Sequence, residues 1–333
     1  RSVGGLGSRD QLVGPWQIPV ADCAVTLADF EQVRGEAMAM GERSPIAVFD
    51  APASGRMAVT EAMTNLLASD VRSFEDVKLS ANWMAACGVE GQDAALFDTV
   101  TAVSQWCQEL GLAIPVGKDS LSMRTAWQDD QGNEQDVIAP VSLVVTAFAQ
   151  VGDVRKTLTP ELKTDADSVL IFIDLAEGQQ RMAGSVLCHA FNQVGQQTPD
   201  FTNAALLKAF AQVLRQLADQ GLIWAYHDKS DGGLLATVAE MAFAGHTGVA
   251  LNIDMLTIDP HAADWGDFKI RADQVAVQRD ELTLKALFNE EAGAVIQVPA
   301  AQRDQVLQQL REAGLSACSH VIGKPNTTDT IAI

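Results

Sequence analysis

A polar run between two apolar segments, residues 225–235, carries residue types suited to phosphate and metal chemistry. We interpret it as the end of an apolar strand, then a polar turn, then two glycines that open a helix. Glycines let a backbone approach a ligand closely, and free amides at a helix start attract anions, phosphate above all. Asp228 and Asp231 could supply oxygen ligands to a divalent cation, and Ser230 could donate to a phosphate oxygen. Ser and Asp are also ordinary helix caps, so the run alone leaves both interpretations open.

A second group of oxygen ligands lies earlier in the chain. Asp22 interrupts an apolar segment that we predict as a strand over 19–27, and an aspartate there is costly unless it is paired, hydrogen-bonded or bound to a metal. Glu61 and Asn65 stand one turn apart on a predicted helix over 54–69, so they share one face. A carboxylate and an amide oxygen on one face suit Mg²⁺, although a strand-end aspartate and a solvated helix face would give the same pattern.

These groups together predict a metal–nucleotide site. Asp22, Glu61, Asn65 and Asp228 would supply three carboxylates and one amide, which is enough to hold Mg²⁺ against the phosphates of a nucleotide. The acidic side chains could lie beside phosphate only through the metal. No pair of nucleophile and general base is evident, so we expect no covalent catalysis and assign no catalytic residue to this chain.

A third polar stretch reads Gly117-Lys118-Asp119-Ser120, and we predict that it is a turn between apolar segments. It offers a small backbone, an ammonium and a hydroxyl, which suit a phosphate or a polar small molecule. The stretch is not a Walker A loop, because the spaced upstream glycine is absent. A plain β-turn is the alternative interpretation.

Composition narrows the classes of partner and compartment. The 333 residues carry a formal net charge of −20, which disfavours nucleic acid and anionic membranes as partners. The five cysteines are dispersed and never form a Cys-x-x-Cys pair, so neither a disulfide framework nor a zinc site is indicated. No apolar run reaches the length of a membrane span. We therefore expect a cytoplasmic protein that binds neither nucleic acid nor membrane.

The length predicts about two domains, and we place the boundary after residue 152. Residues 1–152 are expected to form an α+β domain and residues 153–333 a layered α/β domain. The predicted strands cover 19–27, 45–50, 77–86, 141–151, 168–175, 222–226, 248–253, 294–298 and 319–322, and 35–42 is predicted as a strand or an extended loop. The predicted helices cover 54–69, 93–110, 181–192, 203–219, 234–244, 282–290 and 301–313. A hairpin turn is expected over 129–135, and 260–279 shows no regular pattern.

A set of motifs in a fixed order carries a further signal. They are Gly-Pro-Trp-Gln at 14–17, Pro-Val-Ala-Asp-Cys-Ala-Val-Thr at 19–26, Gly-Glu-Ala-Met-Ala at 35–39, Lys-Leu-Ser-Ala-Asn-Trp-Met-Ala-Ala at 78–86, Pro-Val-Gly-Lys-Asp-Ser-Leu-Ser-Met at 115–123, Tyr-His-Asp-Lys-Ser-Asp-Gly-Gly at 226–233 and Phe-Asn-Glu-Glu at 288–291. Together they closely resemble the large, fused form of phosphoribosylformylglycinamidine synthase. The resemblance covers nearly the whole chain, and 260–279 is its least matched part.

The resemblance implies a role in purine biosynthesis. That family is a carbon–nitrogen ligase in which ATP activates a formamide oxygen and ammonia from glutamine displaces it, giving formylglycinamidine ribonucleotide. Its synthase region is a tandem duplication whose halves each resemble aminoimidazole ribonucleotide synthetase, with an α+β domain followed by an α/β domain. The α+β domains of the two halves pair into a central barrel. This chain resembles the second half.

The resemblance also implies roles for single residues. It makes Asp22, Glu61, Asn65 and Asp228 the Mg²⁺ ligands, and Ala21 and Ser230 the nucleotide contacts. In the family this second nucleotide site is understood to hold a tightly bound structural ADP, so ATP or ADP is the expected ligand. The stretch from Gly117 to Ser120 is expected near the interface of the halves, where it could face the ribonucleotide substrate.

Several family features are missing from this chain. It has no Ser-Glu-His-Cys stretch, no long glycine-rich ATP loop and no cysteine in a glutaminase context, so we expect it to be inactive alone. The expected partners are the first synthase half and the glutaminase domain of one longer chain, and the start without methionine favours an excised piece. We also expect self-association through the exposed barrel face. The alternatives are a stand-alone ATP-dependent enzyme of the same superfamily and a non-catalytic pairing domain.

Overall fold

The computed structural model describes residues 5–257 and 272–333, and they fall into two compact units. The first unit comprises the described residues of 1–10, 22–157 and 198–215. The second comprises the described residues of 11–21, 158–197 and 216–333. The chain therefore passes between the units more than once, so one boundary in the sequence does not separate them. The boundary after residue 152 stays a prediction.

The first unit is built on an open five-stranded sheet with two helices on one face. Its strand order is β1-β2-β7-β3-β4, and all neighbours are antiparallel except the parallel pair β3 and β4. Two further strands form a separate hairpin. The strands are β1 (Ala24–Leu27), β2 (Gly35–Glu42), β3 (Lys78–Met84), β4 (Ala113–Ser120), β5 (Arg124–Gln128), β6 (Glu134–Ile138) and β7 (Ser142–Val151); the helices are α1 (Ala51–Leu66) and α2 (Gln92–Leu110).

Local sequence explains where these helices begin and end. The Asp50 carboxylate accepts a hydrogen bond of 2.9 Å from the Ala53 amide and so caps the start of α1, which also has proline in its first turn. Gly91 and Gly111 flank α2 in the left-handed conformation, which glycine adopts without steric cost. The helices predicted over 54–69 and 93–110 are therefore confirmed, with α1 beginning three residues early.

The second unit is an α/β arrangement on a six-stranded sheet. Its strand order is β13-β10-β12-β8-β11-β9, and only the β10–β13 pair is parallel. The strands are β8 (Ser168–Asp174), β9 (Ala225–Lys229), β10 (Gly248–Leu251), β11 (Gly293–Pro299), β12 (Ser319–Asn326) and β13 (Ile331–Ala332). The helices are α3 (Val186–Ala190), α5 (Gly233–Gly245), α6 (Ala272–Phe288) and α7 (Arg303–Glu312), while α4 (Ala204–Asp219) contributes residues to both units.

Apolar side chains explain why this sheet is buried. The strands β8 and β11 are buried along nearly their whole length, and α5 packs its apolar face against the same core. A continuous apolar run is what a strand covered on both faces requires. The members of this core are Leu162, Leu170, Phe172, Ala225, Leu234, Val238, Met241, Ala242, Val249, Leu251, Val295 and Ile322.

Some predicted elements are wrong or misplaced. Residues 45–50 do not form a strand, because Pro45 opens a 3₁₀ helix over Ser44–Val48. The strand predicted over 19–27 is restricted to β1, and the helix predicted over 181–192 is reduced to α3. Within the irregular segment predicted at 260–279, the residues from Ala272 onward belong to α6, whereas 258–271 lie outside the described residues.

The first sheet remains open in the part of the chain that the structure describes, so no barrel closes within one copy. The predicted barrel needs a second α+β domain and stays a prediction. Across the same described residues, no helix combines the length and the apolar character needed to cross a membrane.

Candidate functional site

A close helix–strand contact in the first unit positions two of the predicted ligands. A Cβ built on Gly41 of β2 would lie far inside van der Waals contact of the Ala58 carbonyl oxygen and the Ala62 nitrogen, both backbone atoms of α1. Only a residue without a side chain lets α1 lie this close to β2. Met38 and Met40, which alternate with Ala39 and Gly41 along β2, point to the opposite face.

Glu61 and Asn65 use this proximity to bond the backbone of β2. The Glu61 carboxylate accepts a hydrogen bond of 2.8 Å from the Glu42 amide, and the Asn65 side-chain nitrogen donates to the Met40 carbonyl at 3.1 Å. Both side chains are half-buried. Because the amide nitrogen of Asn65 is committed to the strand, its oxygen is the atom that a cation would use. The structure thus brings this predicted pair together on one face of α1.

Asp22 also belongs to the first unit. Its side chain is buried, 8% exposed, immediately before Cys23. Burial, with a smaller contribution from the Asp22 carboxylate, raises the pKa of the Cys23 thiol to about 12, while Arg9 opposes the shift. A bound divalent cation would offset the cost of burying this carboxylate, so Asp22 remains a suitable candidate ligand.

In the second unit the predicted polar turn is wrong at its start, because β9 continues through His227, Asp228 and Lys229. All three side chains are buried, although they are polar. His227 Nε2 lies 2.7 Å from Glu240 Oε2 on α5, and His227 Nδ1 lies 4.0 Å from Asp228 Oδ1. Pairing with β11 on the sheet side extends the strand into this polar sequence.

The turn itself covers residues 230–232 and leads directly into α5. Gly232 and Gly233 have φ values of +79° and +70°, a left-handed conformation that other residues adopt only with strain. A Cβ on Gly233 would also lie 2.6 Å from the Asn289 carbonyl oxygen and 2.8 Å from that of Leu287. The two glycines are therefore required by the backbone and its packing against the end of α6.

Two of the amides at this junction, those of Gly232 and Gly233, are used within the chain. The Gly232 amide donates to Glu290 Oε1 at 2.9 Å, and the Gly233 amide donates to the Ser230 carbonyl at 3.0 Å. Glu290 Oε1 also accepts from the Val186 amide at 2.8 Å, at the start of α3. A buried carboxylate thus accepts hydrogen bonds at the starts of both α5 and α3.

The residues on either side of Glu290 each bind a cationic side chain. Lys229 Nζ donates to the Asn289 side-chain oxygen at 2.5 Å and to its carbonyl at 3.2 Å. Arg181 forms a bidentate pair with Glu291, at 2.5 Å from Nε and 2.9 Å from an Nη nitrogen. Burial raises the pKa of Glu291 above its ordinary value, and Arg181 only partly counteracts this.

The segment 289–291 is the functional feature that sequence reasoning missed. It carried the resemblance without being given a role. The available signal was three consecutive polar residues between a helix and the fully buried strand β11, since such residues need partners when buried.

The predicted loop at Gly117, Lys118, Asp119 and Ser120 is wrong. These residues form the second half of β4 and pair in parallel with residues 81–84 of β3. Alternation along the strand puts Lys118 and Ser120 on one face, where the ammonium donates to the hydroxyl, and Asp119 on the other. A role in contacting substrate stays a prediction.

The proposed ligand set draws on both units. Asp22, Glu61 and Asn65 belong to the first unit, whereas Asp228, Ala21 and Ser230 belong to the second. Within the units, Glu61 and Asn65 share α1, and Asp228 and Ser230 share the β9–α5 junction. The common coordination of one ion by all four ligands stays a prediction. The donor chemistry of three carboxylates and one amide fits Mg²⁺, which prefers oxygen.

Two family models match successive parts of the chain. Residues 1–150 match the model described as the FGAR-AT PurM_N-like domain. Residues 168–331 match the model described as AIR synthase related protein, C-terminal domain. The matches are in the order expected from the resemblance.

Solved structures show a similar fold at low identity. The structure described as T. maritima PurL complexed with FGAR has a TM-score of 0.66 and 10% identity over 95% of this chain and 45% of that chain. The structure of PurLQS from Thermotoga maritima has a TM-score of 0.61 and 12% identity over 97% of this chain and 43% of that one. E. coli HypE, a hydrogenase maturation protein, has a TM-score of 0.57 and 16% identity over 92% of this chain and 85% of its own.

These matches show the fold of the chain and how much of each related chain it spans. The chain spans less than half the length of the PurL chains, but most of the length of HypE. Low identity restricts the structural likeness to the fold. The chain therefore contains, in order, a part that matches the FGAR-AT PurM_N-like domain and a part that matches the AIR synthase related C-terminal domain, in a fold similar to that of PurL.

Proposed function

We propose that this chain binds ADP or ATP together with Mg²⁺ as the nucleotide-carrying part of a ligase of the phosphoribosylformylglycinamidine synthase type. The observation that carries the proposal is the pair Glu61 and Asn65. They lie one helical turn apart on α1, and hydrogen bonds with the β2 backbone hold both side chains in place. A carboxylate and an amide held in this way form a preorganised set of oxygen ligands. In the second unit, the buried carboxylate of Asp228 supports the same chemistry.

Other support comes from what the related structures contain. Two of the T. maritima PurL structures are described as complexes with ATP and with ADP, at TM-scores of 0.59 and 0.58. Their identities to this chain are 12% and 10%, so they indicate a nucleotide as the ligand to test without identifying a site. The metal ligands and Ser230 are proposed from this chain's own residues, and Ala21 is added by the family resemblance.

The residues of the proposed site have two roles, metal binding and nucleotide contact. Asp22, Glu61, Asn65 and Asp228 would hold Mg²⁺, whose charge would offset the repulsion between phosphate and the carboxylates. Ala21 and Ser230 would contact the nucleotide. The net charge of −20 works against binding of a bare polyphosphate, so the proposal requires a divalent cation.

The full reaction is proposed for a larger assembly. Conversion of formylglycinamide ribonucleotide to formylglycinamidine ribonucleotide needs ATP and ammonia from glutamine, and this chain lacks the motifs for ammonia release. We therefore propose a first synthase half and a glutaminase domain as partners, and a structural role for the nucleotide bound here. The chain alone is expected to show no turnover.

Calorimetric titration of ADP tests the nucleotide site. The protein is first unfolded and refolded to remove carried-over ligand, and ADP is then added with Mg²⁺ or with a chelator. We expect binding only with Mg²⁺, and a loss of at least tenfold in affinity in Asp228→Asn, which keeps the shape but removes the charge. Glu61→Gln should weaken binding similarly while keeping the hydrogen bond from Glu42.

A matched control uses an exposed acidic residue of the same unit, Asp304→Asn, which should bind as the wild type does. Equal Mg²⁺–ADP affinity in Asp228→Asn and wild type would contradict the proposed ligand set. If the folded wild type binds nothing, the first synthase half is added in trans. Binding that then appears would retain the site and make it dependent on the partner.

A stand-alone enzyme of the same superfamily is the second candidate. The observation that favours it is the match to HypE over 85% of that chain, since two domains of this kind make up most of a complete chain there. Sustained production of ADP from ATP by the purified chain alone would favour this candidate. ADP binding without any turnover favours the first proposal.

The outer face of the first sheet is the proposed pairing surface for the other half. Met40 and Phe148 are 58% and 41% exposed on the strands β2 and β7, away from α1. Exposed apolar side chains on adjacent strands favour association. We expect the isolated chain to self-associate in light scattering, and Met40→Glu to reduce this, whereas a monomeric wild type at high concentration would contradict the pairing surface.

A further inference from the structure

Glu290 is a buried acidic side chain that the proposed metal site does not use. It lies two residues after the end of α6, and only 2% of its surface is exposed. Moving a carboxylate out of water is costly unless strong hydrogen bonds replace the water. The structure must therefore compensate this charge locally.

Two backbone amides from separate segments provide the compensation. Glu290 Oε1 accepts from Gly232 at 2.9 Å and from Val186 at 2.8 Å. Gly232 is the N-cap of α5, a helix of 13 residues whose dipole favours a negative charge at this end. Hydrogen bonds between amides and a charged acceptor are stronger than those between neutral groups.

The residues on either side fix Glu290 in place. Asn289 is bound to Lys229, and Glu291 is bound to Arg181, so the backbone before and after Glu290 is anchored. The missing side chain at Gly233 allows the start of α5 to pack against the Asn289 and Leu287 carbonyls. The carboxylate is thus held in a closed, preformed cradle.

We infer that Glu290 is a built-in anion that closes the start of α5 to phosphate, so that a nucleotide phosphate near this junction is held through a cation and not by helix amides. This inference adds detail to the proposed function, and the part of the inference that concerns the nucleotide rests on that function. It assigns the residue a specificity role: Glu290 excludes free phosphate and makes binding dependent on the metal.

The test measures thermal unfolding in a metal-chelating buffer, with inorganic phosphate as the only probe and chloride keeping the ionic strength constant. We expect the wild-type midpoint to change no more with phosphate than with chloride. In Glu290→Ala the two amides lose their acceptor, so the midpoint should fall by several degrees and should recover saturably as phosphate fills the cradle. Saturable protection of the wild type, or a folded Glu290→Ala without recovery, would overturn the inference.

A matched control separates the cradle from a simple loss of a helix cap. Asp50 caps α1 through one hydrogen bond to the Ala53 amide. Asp50→Ala should lower the midpoint without a saturable recovery in phosphate, because its helix start lacks the second amide that Val186 provides in the cradle. Recovery equal to that of Glu290→Ala would overturn the inference, because any uncapped helix would then behave alike.

Glu290→Gln keeps the test decisive if Glu290→Ala does not fold. The amide fills the same space and can accept both hydrogen bonds, but it carries no charge. We expect a folded protein with a lower midpoint and no recovery in phosphate. A midpoint equal to or above that of the wild type, or saturable phosphate binding by the metal-free wild type in calorimetry, would overturn the inference. Because these assays contain neither nucleotide nor Mg²⁺, their failure differs from loss of the Mg²⁺–ADP site.

Discussion

The β2–α1 contact of the first unit and the β9–α5 junction of the second use glycine for the same purpose and polar side chains in opposite ways. At Gly41 and at Gly233, a missing Cβ lets a helix approach neighbouring backbone closely. Glu61 is half-buried and accepts a hydrogen bond from the Glu42 amide, whereas Glu290 is almost fully buried and accepts hydrogen bonds from backbone amides of two separate segments. The second arrangement uses a carboxylate as part of the framework of the fold.

The difference shows how ligand-binding and purely structural acidic residues can be confused when only residue types are considered. Both junctions carry acidic residues near glycine, and both look like anion or metal sites in the sequence. Burial and the number of backbone partners distinguish them, because a side chain that satisfies buried amides cannot also take a ligand without leaving those amides unpaired. Three predictions test this contrast between the β2–α1 contact and the β9–α5 junction.

The largest effect is expected for Arg181→Ala in the second unit. Glu291 is fully buried, and Arg181 is its cationic partner. Removing one partner of a buried pair costs about 3–5 kcal/mol, because the remaining carboxylate stays buried without its guanidinium partner. Urea unfolding should show this loss in the free energy of unfolding.

The control for that change is the exposed pair of Arg155 and Asp153, at 2.7 Å. The Arg155 side chain is 71% exposed, so water replaces the lost partner and Arg155→Ala should cost less than about 1 kcal/mol. Similar losses in the two variants would contradict the view that the second unit depends on a buried charge network.

A smaller effect is expected for Gly41→Ala in the first unit. The added methyl group would meet backbone atoms of α1, so the helix must shift, at a cost of about 1–3 kcal/mol. The shift should also move Glu61 and Asn65 away from β2 and weaken Mg²⁺–ADP binding. Chemical unfolding and calorimetry measure the two effects.

Gly117→Ala provides the matched strand control. The nearest atom to a Cβ at Gly117 is the Ala81 carbonyl oxygen at 3.6 Å, an ordinary contact. This variant should unfold and bind as the wild type does. A Gly41→Ala protein of wild-type stability and affinity would show that the close helix approach does not position the ligands.

The smallest effect is a pH dependence at Glu291. Because its folded pKa is raised by burial, the acid form contributes stability that is fully present below the ordinary pKa of glutamate and is lost as the pH rises through the folded value. Glu291→Gln is neutral throughout, so its stability relative to the wild type should increase with pH across that window. Urea unfolding at a series of pH values measures the difference, and a relative decrease would contradict the direction of the shift.

Local pattern predicted much of the fold. Helices α1, α2 and α5 follow from apolar spacing, capping residues and glycine ends, which act within a few residues of the chain. Strand β7 follows from its alternation. The errors occur where packing overrides local preference: β4 absorbs a Gly-Lys-Asp-Ser sequence typical of turns, because it pairs with β3, and β9 extends through three polar residues, because it pairs with β11.

The sequence by itself determined which residues of this protein carry oxygen atoms suited to a divalent cation and where most of the helices lie, since residue chemistry and periodicity are local properties. It predicted Glu61 and Asn65 as neighbours because a helix repeats every turn. Only the tertiary structure decided that the Gly232 amide at the start of α5 is already bonded to Glu290. Gly232 and Glu290 are 58 residues apart, and a hydrogen bond over that separation leaves no periodic pattern, because it depends on how the chain folds back and not on the spacing of residue types.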